Sequence, residues 1–413
     1  MIKTIRKAYK FRLKPSEQDV STMLSFAGSN RFVYNKFLHM NLQRLESKQP
    51  LLWYNEMAFW LTLWKKTEEY CFLKTIHSQT LQQTLKNLER AFKEGFDKNQ
   101  PIKKMPTFKK KGMSDSFRYP QGVKLDEAAK SIYLPKIGWV KYHRSRKITG
   151  DIKNVTVSRR GQHWYVSIQV QTEQKMPYHP SNDVIGVDLG ITRFLTLSNG
   201  DYIEPIHSFR TLEKKLATAQ RRLSKKVKFS QNWGKQKQRI TRLHEKIANA
   251  RLDFLHKTST QLSKNHAIIV VEDLNVKNMS KSATGTIENK GKNVKAKSGL
   301  NKSILDQGWS LFVTLLEYKQ DWAGGQVIKV PAAYTSQCCP ACKHTDKANR
   351  VKQANFKCVS CAYSEHADKV GAINVLERGH RLLACGVDTL VSTVKQEPEL
   401  NREVVLHNGI PIL

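Results

Sequence analysis

The spacing of hydrophobic positions changes twice in the first half of the chain. Apolar and basic residues alternate over residues 1–13, which predicts a strand with one basic face. From about 17 to 98 the apolar positions recur every three or four residues, which predicts helices, with Ser16 as the cap of the first. Alternation returns over 116–172 and predicts a second group of strands. The first half is therefore expected to be a β-structure interrupted by a helical insert.

Buried strands separated by helices are predicted in the second half. The stretches VIGVDLGI (184–191) and HAIIVVEDL (266–274) each predict a buried strand that ends in an acid. Between them, 194–205 predicts two short strands, and 211–264 predicts two long basic helices. Residues 276–302 are rich in Lys, Gly and Ser, and we expect them to be mobile.

Charge narrows the class of partner. Among 413 residues there are 70 Lys and Arg against 35 Asp and Glu, a net charge of +35, which predicts a polyanionic partner such as nucleic acid. A ribosomal-type binding protein remains open on charge alone. The longest aliphatic run, AIIVV, is far shorter than the ~20 residues a membrane span needs. We expect a soluble, cytoplasmic protein of two or three domains with no membrane partner.

Five of the seven cysteines crowd together near the C-terminus. Two Cys-x2-Cys pairs separated by fifteen residues match the spacing of a four-cysteine zinc site, which would hold one structural Zn²⁺. Cys338 is the spare thiol. The predicted zinc ligands are Cys339, Cys342, Cys358 and Cys361.

Two features of this predicted zinc finger leave its role open. Zinc knuckles favour Gly after the second Cys, where the backbone takes a positive φ, but Lys343 and Ala362 occupy those places, so we expect some strain. The finger is basic, which suits contact with nucleic acid. A purely structural clip is the alternative.

Acids at the ends of buried strands are costly unless they are paired or bind a cation. Asp188 and Glu272 both occupy such positions, and Asp273 competes with Glu272. Asp368 alone would be an ordinary helix-start acid, but Gly371 and Ala372 on the same helix face are small enough to let that face approach a sheet. The order of strands and acids is that of an RNase H-like core, in which three carboxylates meet and bind hard divalent cations.

The motifs GVDLGI, VVEDLN, TSQCCPAC and HADKVGAINVL, in this order, resemble the TnpB family. Its members are transposon-encoded, RNA-guided DNA nucleases related to the compact type V CRISPR effectors. The resemblance covers roughly residues 1–385 and implies an α/β multidomain fold. A wedge-like β-barrel would be interrupted by a helical recognition insert and followed by a RuvC-like, RNase H-fold nuclease containing the zinc finger. The implied boundaries are 1–14 and 113–180 for the barrel, 15–112 for the insert, 181–334 and 364–385 for the nuclease, 335–363 for the finger, and 386–413 for a disordered tail.

The resemblance also implies the activity and its site. Asp188, Glu272 and Asp368 would be the catalytic residues and would hold Mg²⁺, as two ions, which favours Glu272 over Asp273. The partners would be a guide RNA from the transposon end and double-stranded target DNA beside a short motif. We expect one RNA per protein monomer. The protein would be cytoplasmic and associated with the nucleoid. The residues expected to read that motif are Tyr54, Gln79, Gln82, Gln83, Phe117, Arg118 and Tyr119.

Two other functions remain open. A nuclease-inactive, RNA-guided repressor would be expected to lose one or more of the acids, yet all three are present. An unguided RuvC-like nuclease or transposase would leave the helical insert and the basic barrel with no duplex to hold.

Overall fold

The computed structural model describes residues 2–100, 103–113, 115–175, 177–286, 288–350 and 352–385. The chain divides between residues 175 and 176 into two compact units. The predicted tail, residues 386–413, lies outside the described residues.

Among its described residues, the first unit contains a seven-stranded antiparallel sheet and three α-helices. Its elements are β1 (Ile2–Lys14), α1 (Glu17–Glu46), α2 (Tyr54–Trp64), α3 (Ser78–Phe96), β2 (Ser116–Tyr119), β3 (Lys124–Asp126), β4 (Ser131–Leu134), β5 (Gly138–Tyr142), β6 (Asp151–Arg160) and β7 (His163–Lys175). The strand order is β2-β6-β7-β1-β5-β4-β3. Strands β2 and β3 form the two edges, and closure into a barrel stays a prediction.

Local chemistry explains where helix α1 begins and why it packs on the sheet. Ser16 and Asp19 form a capping box: the Asp19 amide donates to the Ser16 hydroxyl at 3.2 Å, and the Ser16 amide donates to the Asp19 carboxylate at 2.9 Å. Phe26 of α1 then packs on Phe117 of β2, with ring centroids 5.1 Å apart. The helices and the sheet consequently share one hydrophobic core.

The second unit contains a five-stranded sheet, a two-stranded ribbon and six α-helices among the described residues. Its elements are β8 (Val184–Leu189), β9 (Leu195–Leu197), β10 (Tyr202–Ile203), α4 (Ser208–Ser224), α5 (Gln231–Asn265), β11 (Ile268–Glu272), α6 (Val276–Met279), α7 (Val294–Gln307), α8 (Trp309–Ala323), β12 (Gln326–Val330), β13 (Asn355–Lys357), β14 (Ser364–His366) and α9 (Ala367–Ala384). The large sheet has the order β10-β9-β8-β11-β12. Strands β8, β11 and β12 are parallel, and β9 and β10 are antiparallel additions.

Helices cover both faces of this sheet. Val187 and Val271 face the core formed with α5 and α8, whereas Val270 faces the core that includes Val375 of α9. Gly186 lies against α9, because a Cβ built on it would come within 2.3 Å of the Ala372 carbonyl oxygen. Side chains alternate between faces along a strand, so Asp188 and Glu272, two residues after Gly186 and Val270, lie on the α9 side.

Part of the stretch 276–302 is helical, and its mobility stays a prediction. Helix α7 begins at Val294, inside that stretch, and continues to Gln307. Its C-terminal end is anchored, since Ile304 and Asp306 are buried and Asp306 pairs with Arg251 of α5 at 2.7 Å. The abundant Lys and Gly concealed a helix that depends on contacts distant in sequence.

Candidate active site and zinc centre

The structure brings Asp188, Glu272 and Asp368 to one end of the large sheet. Val187 of β8 pairs with Val271 of β11 in parallel register, so the residue after each, Asp188 and Glu272, lies at the same edge. Asp368 is the second residue of α9, the helix that packs on β8. Three acids that are far apart in sequence therefore meet where two parallel strands end beneath the start of a helix.

Asp188 is at the centre of this group. Burial, followed by the negative charges of Glu272 and Asp368, raises the pKa of Asp188 to about 8, and only Arg350 opposes the shift. Helix α9 leaves room for the carboxylate because its next turn carries Gly371; a Cβ there would lie 3.3 Å from the Asp188 Cγ. A carboxylate in this position favours a proton or a cation as its neighbour.

Glu272 is held by a neighbour that the sequence did not indicate. The Thr335 hydroxyl donates to Glu272 Oε1 at 2.6 Å, and both side chains are buried. Burial raises the pKa of Glu272, while the Thr335 hydrogen bond and the charge of Arg378 act in the opposite direction. The hydrogen bond fixes one carboxylate oxygen in place.

Asp368 is more accessible than Glu272. The Asp368 amide donates to His366 Nδ1 at 3.3 Å, and Arg350 Nη2 lies 3.9 Å from Asp368 Oδ1. Arg350 comes from the segment between the two cysteine pairs, so the finger supplies a positive charge to the acidic group. The three acids lie further apart than a tight ligand cluster: among the described residues, the four cysteines are the only group of three or more potential ligands whose ligand atoms all lie within 4.8 Å of one another.

Asp273 lies outside this group. Its side chain is exposed, whereas Glu272 is buried beside Asp188. Adjacent residues of a strand end point to opposite sides, which explains the difference. The chemistry of the donor set suits a hard divalent cation, because Asp188, Glu272 and Asp368 offer only oxygen ligands.

The four predicted zinc ligands form one cluster. The Cys339 and Cys361 sulfurs are 3.6 Å apart, the Cys342 and Cys358 sulfurs are 3.5 Å apart, and all four lie within 4.8 Å of one another. Zn–S bonds of about 2.3 Å in a tetrahedron place sulfurs about 3.8 Å apart. The cluster therefore fits one four-coordinate Zn²⁺ and leaves no coordination position open for catalysis.

In both knuckles the residue after the second cysteine has the positive φ that is usual at this position. Lys343 has φ 63° and Ala362 has φ 60°, in the left-handed region that disfavours residues with a Cβ. Each is held there by its amide, which donates to the carbonyl of the first cysteine of the pair at 2.9 Å and 3.0 Å. The strain is thus balanced by the hydrogen bonds of the turn.

A buried asparagine joins the zinc cluster to the acids. The side-chain amide of Asn374, in α9, donates to the carbonyls of Thr335 at 2.8 Å and Cys338 at 2.7 Å. It fixes the turn that carries Thr335 at one end and leads into Cys339 at the other. Zinc ligation, Asn374 and Thr335 consequently form a continuous path to Glu272.

The residues expected to read a DNA motif divide into two groups. Phe117 and Tyr119 are buried, with 3% and 0% of their surface exposed, and pack in the core of the first unit; this is a correction, because rings in the core have no face for a base. Arg118 lies between them on the other face of β2 and is half-buried. The rest are at least partly accessible on helices α2 and α3: Tyr54, Gln79, Gln82 and Gln83.

Sequence reasoning missed Thr335 and Asn374 as site residues. Thr335 precedes the first cysteine pair in TSQCCPAC, and Asn374 follows Asp368 by six residues on α9. The available signal was that both are polar residues in segments with one buried face, and a buried polar side chain requires a hydrogen-bond partner.

Within the described residues, no helix is both long and apolar enough to cross a membrane.

Comparison with protein families gives matches to three separate parts of the chain. Residues 167–283 match the OrfB_IS605 family, described as "Probable transposase", and residues 309–375 match the "Cas12f1-like, TNB domain". Residues 1–49 match a helix-turn-helix domain. The second match contains the four cysteines and Asp368.

Curated relatives and one solved structure extend the likeness. The chain is 52% identical to "Putative RNA-guided DNA endonuclease InsQ" of Escherichia coli (strain K12), over 95% of this chain and 97% of that protein. A "Putative RNA-guided DNA endonuclease" of Streptomyces pristinaespiralis is 30% identical over 97% and 98% of the two chains. The cryo-EM structure of a Cas12f1–sgRNA–target DNA complex matches with a TM-score of 0.50 at 13% identity, over 90% of this chain and 98% of that one, which shows similarity of fold. From these full-length similarities, the chain belongs to the TnpB family, within the OrfB_IS605 group of transposon proteins.

Proposed function

We propose that this protein is an RNA-guided DNA endonuclease whose nuclease centre is formed by Asp188, Glu272 and Asp368. The observation that carries the proposal is the convergence of three carboxylates on the α9 side of the sheet, where burial and then the charges of Glu272 and Asp368 raise the pKa of Asp188 to about 8. A relative that is 52% identical over 95% of this chain is named as a putative RNA-guided DNA endonuclease, which supports the same activity.

The proposed nuclease core is RuvC-like. Three parallel strands, two antiparallel additions and a final helix that supplies the third acid support an RNase H-type arrangement. Bound at the three acids, two Mg²⁺ ions would activate a water molecule and stabilise the leaving oxygen during phosphodiester hydrolysis. Thr335 keeps Glu272 oriented toward the site, and Arg350 places a cation beside Asp368.

The proposed partners are a guide RNA from the transposon end and double-stranded target DNA next to a short motif. The net charge of +35 supports contact with two phosphate backbones, and base pairing with the guide would read the target sequence. With Phe117 and Tyr119 in the core, the accessible residues proposed to read the motif are Tyr54, Gln79, Gln82, Gln83 and Arg118. One structural Zn²⁺ would hold the finger, and we propose one RNA per protein monomer in the cytoplasm.

The experiment that tests this function begins with the RNA. The protein is purified from cells that carry its native flanking DNA, and the copurifying RNA is sequenced. One discrete RNA ending in a segment that matches DNA outside the transposon supports guided cleavage, and a plasmid with that match and randomised flanks then reports cutting and the flanking motif. A heterogeneous mixture of cellular RNA with unguided cutting would favour an unguided nuclease. Binding of the match without cutting in Mg²⁺ would favour the repressor.

A further inference from the structure

Helix α4 and the first part of α5 form a strongly basic antiparallel pair, residues 208–246, here called the basic hairpin. Between Lys214 and His244 the sequence has eleven Lys and Arg and no Asp or Glu. This segment contributes no residue to the group formed by Asp188, Glu272 and Asp368, and the proposed catalytic chemistry does not use it. Its charge requires a separate explanation.

The basic hairpin is held together by few buried groups. Leu216 and Ala219 of α4 are buried, and the Gln236 side-chain amide donates to the Ala219 carbonyl at 2.8 Å. In α5 the buried positions start only at Ile247. The basic side chains are therefore exposed to solvent along the hairpin. The buried contacts that hold the hairpin to the rest of the second unit come from the later part of α5.

Two large apolar side chains are exposed at the turn of the basic hairpin. Phe229 is 87% exposed and Val227 is 79% exposed. Phe229 has φ 68°, a left-handed conformation that is strained for a residue of its size, and its ring lies 5.5 Å from that of Trp233. Lys237 lies over the Trp233 ring at 5.0 Å. An aromatic pair surrounded by cations is the composition of a site that stacks on a nucleic-acid base.

We propose that the tip of the basic hairpin binds an unpaired nucleotide of a single-stranded RNA segment. Phe229, backed by Trp233, stacks on the base, and Lys225, Lys226 and Lys228 contact the neighbouring phosphates. A second copy of the chain is disfavoured as occupant, because like charges of this density repel. A base-paired helix is disfavoured because its bases are already stacked, whereas loops and single strands of a folded RNA present free faces. The choice of RNA rests on the proposed function, which makes a guide RNA the resident ligand.

The test measures binding alone, with full-length protein freed of nucleic acid in high salt. The probes are a fluorescent 20-nucleotide oligouridine and a blunt RNA duplex of the same length. Phe229→Ala is compared with Phe229→Tyr, which keeps a ring, and with Tyr178→Ala, which removes an equally exposed ring from the same unit. Lys225, Lys226 and Lys228 changed together to Gln are compared with Lys290, Lys292 and Lys295 changed together to Gln, an equal change of charge on another exposed segment of that unit.

Phe229→Ala is expected to weaken oligouridine binding about tenfold at low and high salt alike, and duplex binding less than twofold, because stacking is not screened by ions. The first lysine triple should lower the slope of log K against log salt by about 2, at about 0.7 for each lost phosphate contact. Equal effects of Phe229→Ala and Tyr178→Ala, or equal losses on both probes, would overturn the proposal. Failure of guided cleavage would not affect this result, since no cutting is measured.

Discussion

The Thr335 hydroxyl donates a 2.6 Å hydrogen bond to Glu272 Oε1, linking the turn before the cysteine cluster to an acid of the proposed nuclease centre. Both side chains are buried, so no water competes for the bond. The hydrogen bond connects the start of the predicted finger directly to the end of strand β11.

Thr335→Val keeps the shape of the side chain and removes the donor. A hydrogen bond to a charged acceptor contributes about 1.5–3 kcal/mol, so we expect guided cleavage to slow by about tenfold or more and the Mg²⁺ concentration for half-maximal rate to rise. Thr335→Ser retains the hydroxyl and should stay within a few-fold of wild type. Initial rates across a Mg²⁺ titration check this. A Val variant with the wild-type Mg²⁺ dependence would show that the bond does not position Glu272.

Asp188 gives a prediction for stability against pH. Its pKa is about 8 in the folded chain and about 4 in an unfolded one, so the folded state binds the proton more tightly. This side chain therefore contributes stability that is full below pH 4 and is lost as pH rises through 8. In EDTA, Asp188→Asn should become more stable relative to wild type as pH rises from 5 to 8, by up to about 1.4 kcal/mol per pH unit.

Urea unfolding at several pH values measures this difference. The control is Asp273→Asn, the same change at the adjacent acid, whose exposed side chain lies outside the group. Adding Mg²⁺ should stabilise wild type more than Asp188→Asn. An advantage of Asn that is the same at pH 5 and pH 8 would contradict the raised pKa of Asp188 in the folded chain.

Gly186 sets the approach of α9 to the sheet. Its missing Cβ would lie 2.3 Å from the Ala372 carbonyl oxygen, so Gly186→Ala must push α9 away. We expect destabilisation by about 2 kcal/mol and loss of cleavage, because α9 carries Asp368. Gly299→Ala, in helix α7 with nothing within 4 Å, should stabilise by about 0.5–1 kcal/mol. Thermal unfolding of both variants measures these changes in stability. Similar changes for Gly186→Ala and Gly299→Ala would contradict the close packing of α9 on the sheet.

Zinc content tests the cysteine cluster. We expect one Zn²⁺ per chain by metal analysis, and Cys358→Ser should lose it together with much of the finger's stability. Cys338→Ser is the matched control, since its sulfur points to the carbonyls of Cys339 and Lys343 at 3.8 and 3.7 Å and lies outside the cluster. Retention of zinc by Cys358→Ser, or its loss from Cys338→Ser, would reassign the ligands.

The sequence allowed Asp188, Glu272 and the cysteines to be located because each has a local signal, whereas Asp368 was indicated by the order of strands and acids and by the small residues Gly371 and Ala372. Asp188 and Glu272 end buried strands, and the cysteine spacing matches a zinc knuckle. Thr335 and Asn374 could not be placed, because their partners depend on how the turn before Cys339 lies against β11 and α9. Helix α7 was concealed for the same reason: Asp306 and Arg251 are 55 residues apart.

Phe117 and Tyr119 show where an available signal was overlooked. They are two residues apart on β2 and flank Arg118, so alternation alone places both on one face and the arginine on the other. In a strand that packs on helix α1, the face with two aromatic rings is the buried one. Pattern therefore argued for a core role, whereas the family resemblance suggested a role in binding.

The most direct test of the central claim compares two adjacent acids. Wild type, Glu272→Gln and Asp273→Asn are loaded with the copurifying RNA and incubated with matched target DNA in Mg²⁺ and in EDTA. The proposed centre predicts that Glu272→Gln binds RNA normally yet cuts at less than about a thousandth of the wild-type rate, that Asp273→Asn cuts normally, and that EDTA stops both active proteins. Normal cutting by Glu272→Gln, or cutting in EDTA, would contradict it.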